Sequence, residues 1–126
     1  MHKTGKLGED IAVEYLKLNG YQILERNWRG TKELRCPEID IIVKKHDIII
    51  FVEVKTSSTG KFGSPEHWIT PKKQNRLTRG ASVYLSRCCD NNTECRFDAI
   101  TIDCQTRPPT INHIVNAFLA SDIDVQ

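Results

Sequence analysis

The clearest pattern in the chain is a pair of apolar runs between residues 38 and 55. The second run, residues 48–54, is apolar on both faces of a strand, which is typical of a central strand covered on both sides. The polar link from Lys44 to Asp47 is too short for a crossover, so two antiparallel strands are predicted. Charged residues interrupt this pattern at Asp40, Glu53 and Lys55. Such charges are costly unless they are paired, hydrated or bound to a cation, so the pattern favours a functional site.

The residues on either side of this pair predict further elements. Apolar residues at three- and four-residue spacing predict a first helix from about Leu7 to Asn19, and Tyr21 to Trp28 is predicted to be a strand. Residues 57–69 contain glycine and proline and are predicted to form a loop. A second helix should follow at once, because Thr70 suits an N-cap and Pro71 suits the first helical position.

Two more elements complete the predicted fold. A strand is expected from Arg96 to Cys104, and a final helix from roughly Asn112 to Ala120. The unit between residues 51 and 102 would join a parallel pair of strands by a right-handed crossover. The order helix, three strands, helix, strand, helix predicts an α/β fold, with a central mixed sheet flanked by helices, as one domain over residues 1–126.

Composition and charge add modest constraints. The formal net charge of +2 is too small to indicate a partner, and five cysteines without regular spacing favour reduced thiols in a cytoplasmic protein. A membrane span is not expected, because no run of about 18 apolar residues occurs, and no secretory leader is visible. A group of basic residues is a candidate for binding phosphates: Lys61, Lys72, Lys73, Arg76 and Arg79. The alternative is a solvated helix face, since those on the second helix should point mainly toward solvent.

The spacing D-x12-E-x-K would let Asp40, Glu53 and Lys55 meet across the antiparallel pair. Carboxylates are hard oxygen ligands suited to Mg²⁺, so Asp40 and Glu53 are predicted metal ligands, with the Val54 carbonyl as a third contact. A cation held there can stabilise charge on a phosphodiester and help generate a nucleophilic water, which Lys55 can orient. Glu38 shares a face with Asp40 and would border the site. The alternatives are an internal ion pair, or a strand whose polar end is solvated.

Several segments together resemble one known family. They are G-K-L-G-E-D-I-A-V-E-Y-L at 5–16, N-G-Y-Q-I-L-E-R-N-W-R at 19–29, E-I-D at 38–40, F-V-E-V-K at 51–55, F-G-S-P-E at 62–66, K-K-Q-N-R-L at 72–77 and R-F-D-A-I-T-I at 96–102. They are similar to UPF0102, a bacterial family that resembles archaeal Holliday junction resolvases within the PD-(D/E)xK superfamily. The resemblance implies a restriction-endonuclease-like fold and hydrolysis of DNA, with branched DNA as one candidate substrate.

The resemblance also implies roles for single residues. Asp40, Glu53 and Lys55 would form the catalytic core, Glu9 would add a carboxylate from the first helix, and Gln74 would lie close to the metal. From its position alone, Glu9 is explained equally well by the helix dipole. Symmetric resolution of a four-way junction needs two active sites, so a homodimer is implied.

Two hypotheses about function follow. The first is a Mg²⁺- or Mn²⁺-dependent endonuclease that acts on DNA. The second is a non-catalytic nucleic-acid-binding protein that retains the fold and its charges. The chain departs from the family pattern at Pro37, where glycine is usual, and at Ser57, where arginine is common. If that arginine contacts phosphate, substrate binding is expected to be weaker here.

Overall fold

The structure contains one five-stranded β-sheet with helices packed against it. The structure is a computed structural model that describes residues 3–30, 38–89 and 92–119. In chain order its elements are α1 (Lys3–Leu18), β1 (Gln22–Trp28), β2 (Ile39–Lys45), β3 (Ile48–Ser57), the short α2 (Pro65–Trp68), α3 (Pro71–Cys88), β4 (Glu94–Asp103) and β5 (Thr110–Phe118). The strands lie in the order β1-β2-β3-β4-β5, with β3 and β4 parallel and the other pairs antiparallel. The predicted α/β class with a mixed sheet is confirmed.

Strand β3 lies at the centre of the sheet and is covered on both faces, as its sequence predicts. Ile50 and Val52 belong to the core cluster on the α1 face. Ile49 and Phe51 belong to the cluster on the α3 face, where the Phe51 ring meets that of Tyr84 edge-on at 6.0 Å. Burial of each such side chain contributes about 1.5–3 kcal/mol, so these two layers hold β3 firmly in place.

A two-residue turn sets the register of β2 against β3. Residues 46 and 47 have φ angles of 52° and 64°, the left-handed conformation of a type I′ hairpin, which matches the twist of the strands. Ile41 pairs with Val52 in the resulting ladder. Continued by one residue, this register places Asp40 opposite Glu53.

Helix α3 begins, and α1 ends, close to the predicted residues, whereas α1 begins at Lys3, four residues before the predicted Leu7. Thr70 Oγ1 caps α3 by accepting a hydrogen bond from the N–H of Lys73 at 3.3 Å, and Pro71 occupies its first position. Helix α1 ends just before Gly20, whose φ of 86° suits a C-terminal cap. The predicted loop over residues 57–69 contains α2. None of the helices in the described part of the chain is long and apolar enough to cross a membrane.

The predicted final helix over residues 112–120 is wrong. Residues 112–118 belong to the edge strand β5, and residue 120 lies outside the described residues. Pro37, where the chain departs from the family pattern, also lies outside them. Four of the nine residues of β5 are β-branched, which favours the extended backbone that pairs with β4. Asn116 has a φ of 55° beside an irregularity in the register. In a regular strand, residues four apart lie on the same face, as they nearly do in a helix, so the spacing of Ile114 and Phe118 fits either element.

Candidate metal centre

Asp40 and Glu53 line one small cleft beside the start of α3. The cleft has a volume of about 220 Å³ and is lined by Glu38, Asp40, Glu53, Lys73, Arg76 and Leu77. Asp40 Oδ2 accepts a hydrogen bond from the backbone N–H of Val54 at 2.9 Å, and the Glu53 side chain is only 12% exposed. The N–H and C=O of a strand residue point toward the same neighbouring strand, so the Val54 carbonyl also faces β2. The fold therefore brings the two predicted carboxylates together next to Val54.

Crowding of negative charge perturbs Asp40. Burial and the charge of Glu53 raise the pKa of Asp40 to about 7, and the charge of Glu9 adds to this effect. The N–H of Val54 and the ammonium of Lys73 act in the opposite direction. Carboxylates held this close favour a proton or a cation between them. Hard oxygen donors in such an arrangement fit Mg²⁺ or Mn²⁺.

Helix α1 supplies another carboxylate. One oxygen each of Glu9, Glu38 and Asp40 lie within 4.8 Å of one another, and these three residues are called the acidic cluster below. Burial and the charge of Glu38 raise the pKa of Glu9. Glu9 is in the second turn of α1 and faces two strand carboxylates, a position that the helix dipole alone does not explain.

Gly8 allows α1 to approach the sheet closely enough for this contact. A Cβ atom at Gly8, which is buried, would collide with Oγ1 of Thr56 on β3. The helix backbone therefore rests directly on β3, and Glu9 follows at the next position. Gly8 was not among the predicted site residues. A glycine inside a helical pattern, one residue before a candidate carboxylate, is the signal that could have identified it.

Two residues at the end of β1 contact the acidic cluster and were not predicted. In the amide orientation that satisfies its neighbours, Asn27 Nδ2 donates to Glu9 Oε1 at 2.9 Å and to Glu38 Oε2 at 3.0 Å. Arg29 Nε donates to Glu38 Oε1 at 3.1 Å. These donors offset part of the negative charge. Nothing in the sequence pattern of β1 indicates them, because their partners lie on other elements.

Lys73 and Arg76 line the cleft. Arg76 is exposed, as predicted, whereas Lys73 is half-buried, so the prediction that it points mainly toward solvent is wrong. Lys73 Nζ forms an ion pair with Glu53. Lys73 lies four residues before the buried Leu77 and thus continues the buried face of α3 past the end of the apolar core. Lys72 and Arg79 are exposed, as predicted.

The other predicted site residues differ in their exposure and contacts. Lys55 is exposed and follows Glu53 by two residues on β3, whereas the structure pairs Glu53 with Lys73. Gln74 is half-buried, and its Nε2 donates to the carbonyl of Ile69 at 3.0 Å. Lys61 is exposed in the segment before α2.

A second group of polar residues lies inside the fold, away from the cleft. Asp98 on β4 has no exposed side-chain surface and interacts with His113 Nε2 at 2.8 Å and with Arg96 Nε at 3.0 Å. His113 Nδ1 lies 2.9 Å from the hydroxyl of Tyr15 on α1. The network joins α1, β4 and β5.

A mixed sheet with helices on both faces, whose central hairpin carries facing carboxylates, defines an α/β protein of the restriction-endonuclease-like class. Residues 8–102 match the model of a family described as uncharacterised protein family UPF0102. The chain belongs to this family.

Curated relatives agree with this assignment over most of the chain. A protein named UPF0102 protein from Syntrophomonas wolfei is 42% identical over 116 residues, which is 92% of this chain and 97% of the relative. Another UPF0102 protein, from Clostridioides difficile, is 46% identical over 116 residues, or 92% of this chain and 96% of the relative. A third, from Chlorobium phaeobacteroides, is 46% identical over 101 residues, 80% of this chain and 76% of the relative. Their names give the family and no activity.

Proposed function

We propose that this protein is a Mg²⁺- or Mn²⁺-dependent endonuclease that hydrolyses phosphodiester bonds in DNA. The observation that carries the proposal is the opposition of Asp40 and Glu53 across an antiparallel pair, in a cleft whose other wall is the basic start of α3. Facing carboxylates suit a hard divalent cation, and neighbouring lysine and arginine side chains suit a phosphodiester.

The site residues would divide the chemistry between them. Asp40 and Glu53 would hold the cation beside the Val54 carbonyl, and Glu9 would complete the acidic surroundings. When bound, the cation supplies positive charge to the phosphate and favours deprotonation of water. Lys55 would orient the attacking water or offset charge that develops on the phosphate.

Basic side chains around the carboxylates would bind the DNA backbone. The candidates are Lys61, Lys72, Lys73, Arg76 and Arg79. Contacts of this kind make affinity fall steeply with salt. Gln74, anchored to the Ile69 carbonyl next to Lys73, would border the metal and the phosphate. Branched DNA is the preferred substrate in this proposal because of the resemblance to Holliday junction resolvases, and symmetric cutting would require a homodimer.

One observation favours a second candidate function, that of a nucleic-acid-binding protein without cleavage. Lys73 already neutralises Glu53, so the cleft has an internal counter-charge. If this ion pair persists on DNA, Glu53 is not free to bind a cation, and the protein binds without cutting.

Cleavage of a labelled panel of linear, single-stranded, flapped and four-way DNA tests the proposal. Wild type is compared with Glu53→Gln, and with Glu94→Gln as a control for an exposed glutamate elsewhere in the sheet. The proposal predicts cleavage that needs Mg²⁺ or Mn²⁺, stops on chelation, persists in Glu94→Gln and is lost in Glu53→Gln. Binding that survives chelation, with no cleavage above the Glu53→Gln level, would replace the nuclease with the second candidate.

A further inference from the structure

Asn27 occupies an unusual position at the end of β1. Its φ of 50° lies in the left-handed region, which few residues adopt and which asparagine tolerates better than most. The residue lies one position before Trp28, which pairs with Ile39 of β2. This backbone geometry brings the side chain to the acidic cluster, next to the strand that carries Asp40.

The Asn27 amide joins two carboxylates that come from separate parts of the chain. Its Nδ2 donates to Glu9 on α1 at 2.9 Å and to Glu38, just before β2, at 3.0 Å. An amide has two donor hydrogens, so one nitrogen satisfies both acceptors. Without it, two carboxylates would face each other with fewer compensating donors, although Arg29 would still contact Glu38.

We propose that Asn27 is a positioning residue, which holds Glu9 and Glu38 at the separation that the metal centre requires before a cation binds. The proposal rests on the proposed function, since it assigns Asn27 a role in the same site. It goes beyond that function because Asn27 acts through the two glutamates. Glu9 and Glu38 each have an oxygen within 4.8 Å of an oxygen of Asp40, so both can contribute to a cation that Asp40 binds, and loss of a hydrogen-bonding partner of such groups commonly weakens metal affinity by 10- to 100-fold.

Two substitutions at Asn27 separate the effect of its amide group from the effect of its backbone conformation. Asn27→Gly keeps access to a positive φ and removes the amide. Asn27→Asp keeps the shape of the side chain but replaces the donor by another negative charge. Asn116 provides matched controls, because it also has a positive φ (55°) and lies on β5, outside the cleft, and both substitutions keep the backbone N–H that it donates to Asp98.

Calorimetric titration with Mn²⁺ and thermal denaturation test the proposal on the full chain. Asn27→Gly should bind Mn²⁺ at least about tenfold more weakly than wild type, whereas Asn116→Gly should match wild type. Asn27→Asp should melt several degrees below Asn116→Asp in chelator and should gain more melting temperature from Mn²⁺. Wild-type Mn²⁺ affinity in Asn27→Gly, or equal melting temperatures of the two aspartate variants in chelator, would overturn the proposal.

Mn²⁺ binding to the wild type distinguishes rejection of the proposed function from rejection of the role of Asn27 alone. If Mn²⁺ neither binds nor stabilises the wild type, the metal-dependent nuclease is rejected, and the positioning of a metal centre is rejected with it. If Mn²⁺ binds the wild type and Asn27→Gly equally well, the metal site stands and only the role of Asn27 is rejected.

Discussion

Lys73 of α3 forms an ion pair with Glu53 of β3, in a cleft that also contains Asp40. The ammonium therefore lies where the proposed function requires a divalent cation, and it favours the charged form of Asp40 as well. Lysine and cation would compete for the same carboxylate. The stability of the protein without a cation and its affinity for a cation should therefore change in opposite directions when Lys73 is replaced.

Lys73→Met should lower stability in chelator and raise cation affinity. In this partly exposed pair the loss is expected to be about 1 kcal/mol, and Mn²⁺ affinity should rise by roughly three- to tenfold, because a nearby positive charge has gone. Lys72→Met is the control, since Lys72 is the exposed neighbour on α3. Urea unfolding in chelator and calorimetric titration give the two quantities. Weaker Mn²⁺ binding in Lys73→Met would show that the lysine supports the cation instead of competing with it.

Asp40 should make the cation-free protein less stable as pH rises. Burial and the charge of Glu53 raise its pKa from 3.8 to about 7, so the folded state binds a proton that the unfolded state releases. This contribution is fully present below about pH 4 and is lost as pH rises through 7. Asp40→Asn should match wild type near pH 4 and exceed it by about 4 kcal/mol at pH 8, because each pKa unit of the shift corresponds to about 1.4 kcal/mol.

Chemical unfolding from pH 4 to 8 in chelator measures this difference, with Asp47→Asn as a control for an exposed aspartate in the hairpin turn. A gap between Asp40→Asn and wild type that stays constant over this range would contradict the assigned pKa.

Gly8→Ala should displace α1 from β3. The added methyl group would collide with Thr56 Oγ1, and overpacking of this kind usually destabilises by about 1–3 kcal/mol. Because Glu9 follows Gly8, Mn²⁺ affinity should fall too. The double variant Gly8→Ala with Thr56→Ala removes the colliding hydroxyl and should recover part of both losses. Stability and affinity equal to wild type in Gly8→Ala would show that the close approach is not needed.

Asp98→Asn should destabilise the fold strongly. Although burial raises its pKa, hydrogen bonds from His113 and Arg96 hold the pKa of Asp98 below its ordinary value. Neutralising one member of a buried charge network leaves its partners unsatisfied, at a cost of about 3–5 kcal/mol. Asp103→Asn, a half-buried aspartate of the same strand, should lose less than 1 kcal/mol. Similar urea midpoints for the two variants would contradict the importance of this network.

The part of the fold that sequence predicts well is the part fixed by local signals. Two continuous apolar runs and a short polar link define β2 and β3, and Thr70 with Pro71 defines the start of α3. The error at β5 has a physical cause, because a four-residue spacing such as that of Ile114 and Phe118 places two side chains on one face in a strand as well as in a helix. The pattern contains no direct mark of a pairing partner on β4.

The candidate site also contains both residues that local sequence signals predict and residues that they do not. Asp40 and Glu53 could be predicted because both interrupt one apolar hairpin, so their meeting follows from its register. The contact of Asn27 with the acidic cluster and the ion pair of Lys73 with Glu53 could not be predicted, because each depends on long-range packing of a different element, although Lys73 itself was a candidate for binding phosphates. Gly8 carries a local signal, but its contact with Thr56 on β3 is also long-range.

The claim on which the account depends is that the Asp40–Glu53 cleft binds a divalent cation, and titration of Mn²⁺ into wild type and Glu53→Gln near pH 7 tests it most directly. We expect saturable binding to wild type, with proton release seen as a heat that depends on the buffer, and at least tenfold weaker binding to Glu53→Gln. Absence of saturable binding to wild type, or equal affinity of the two proteins, would contradict it.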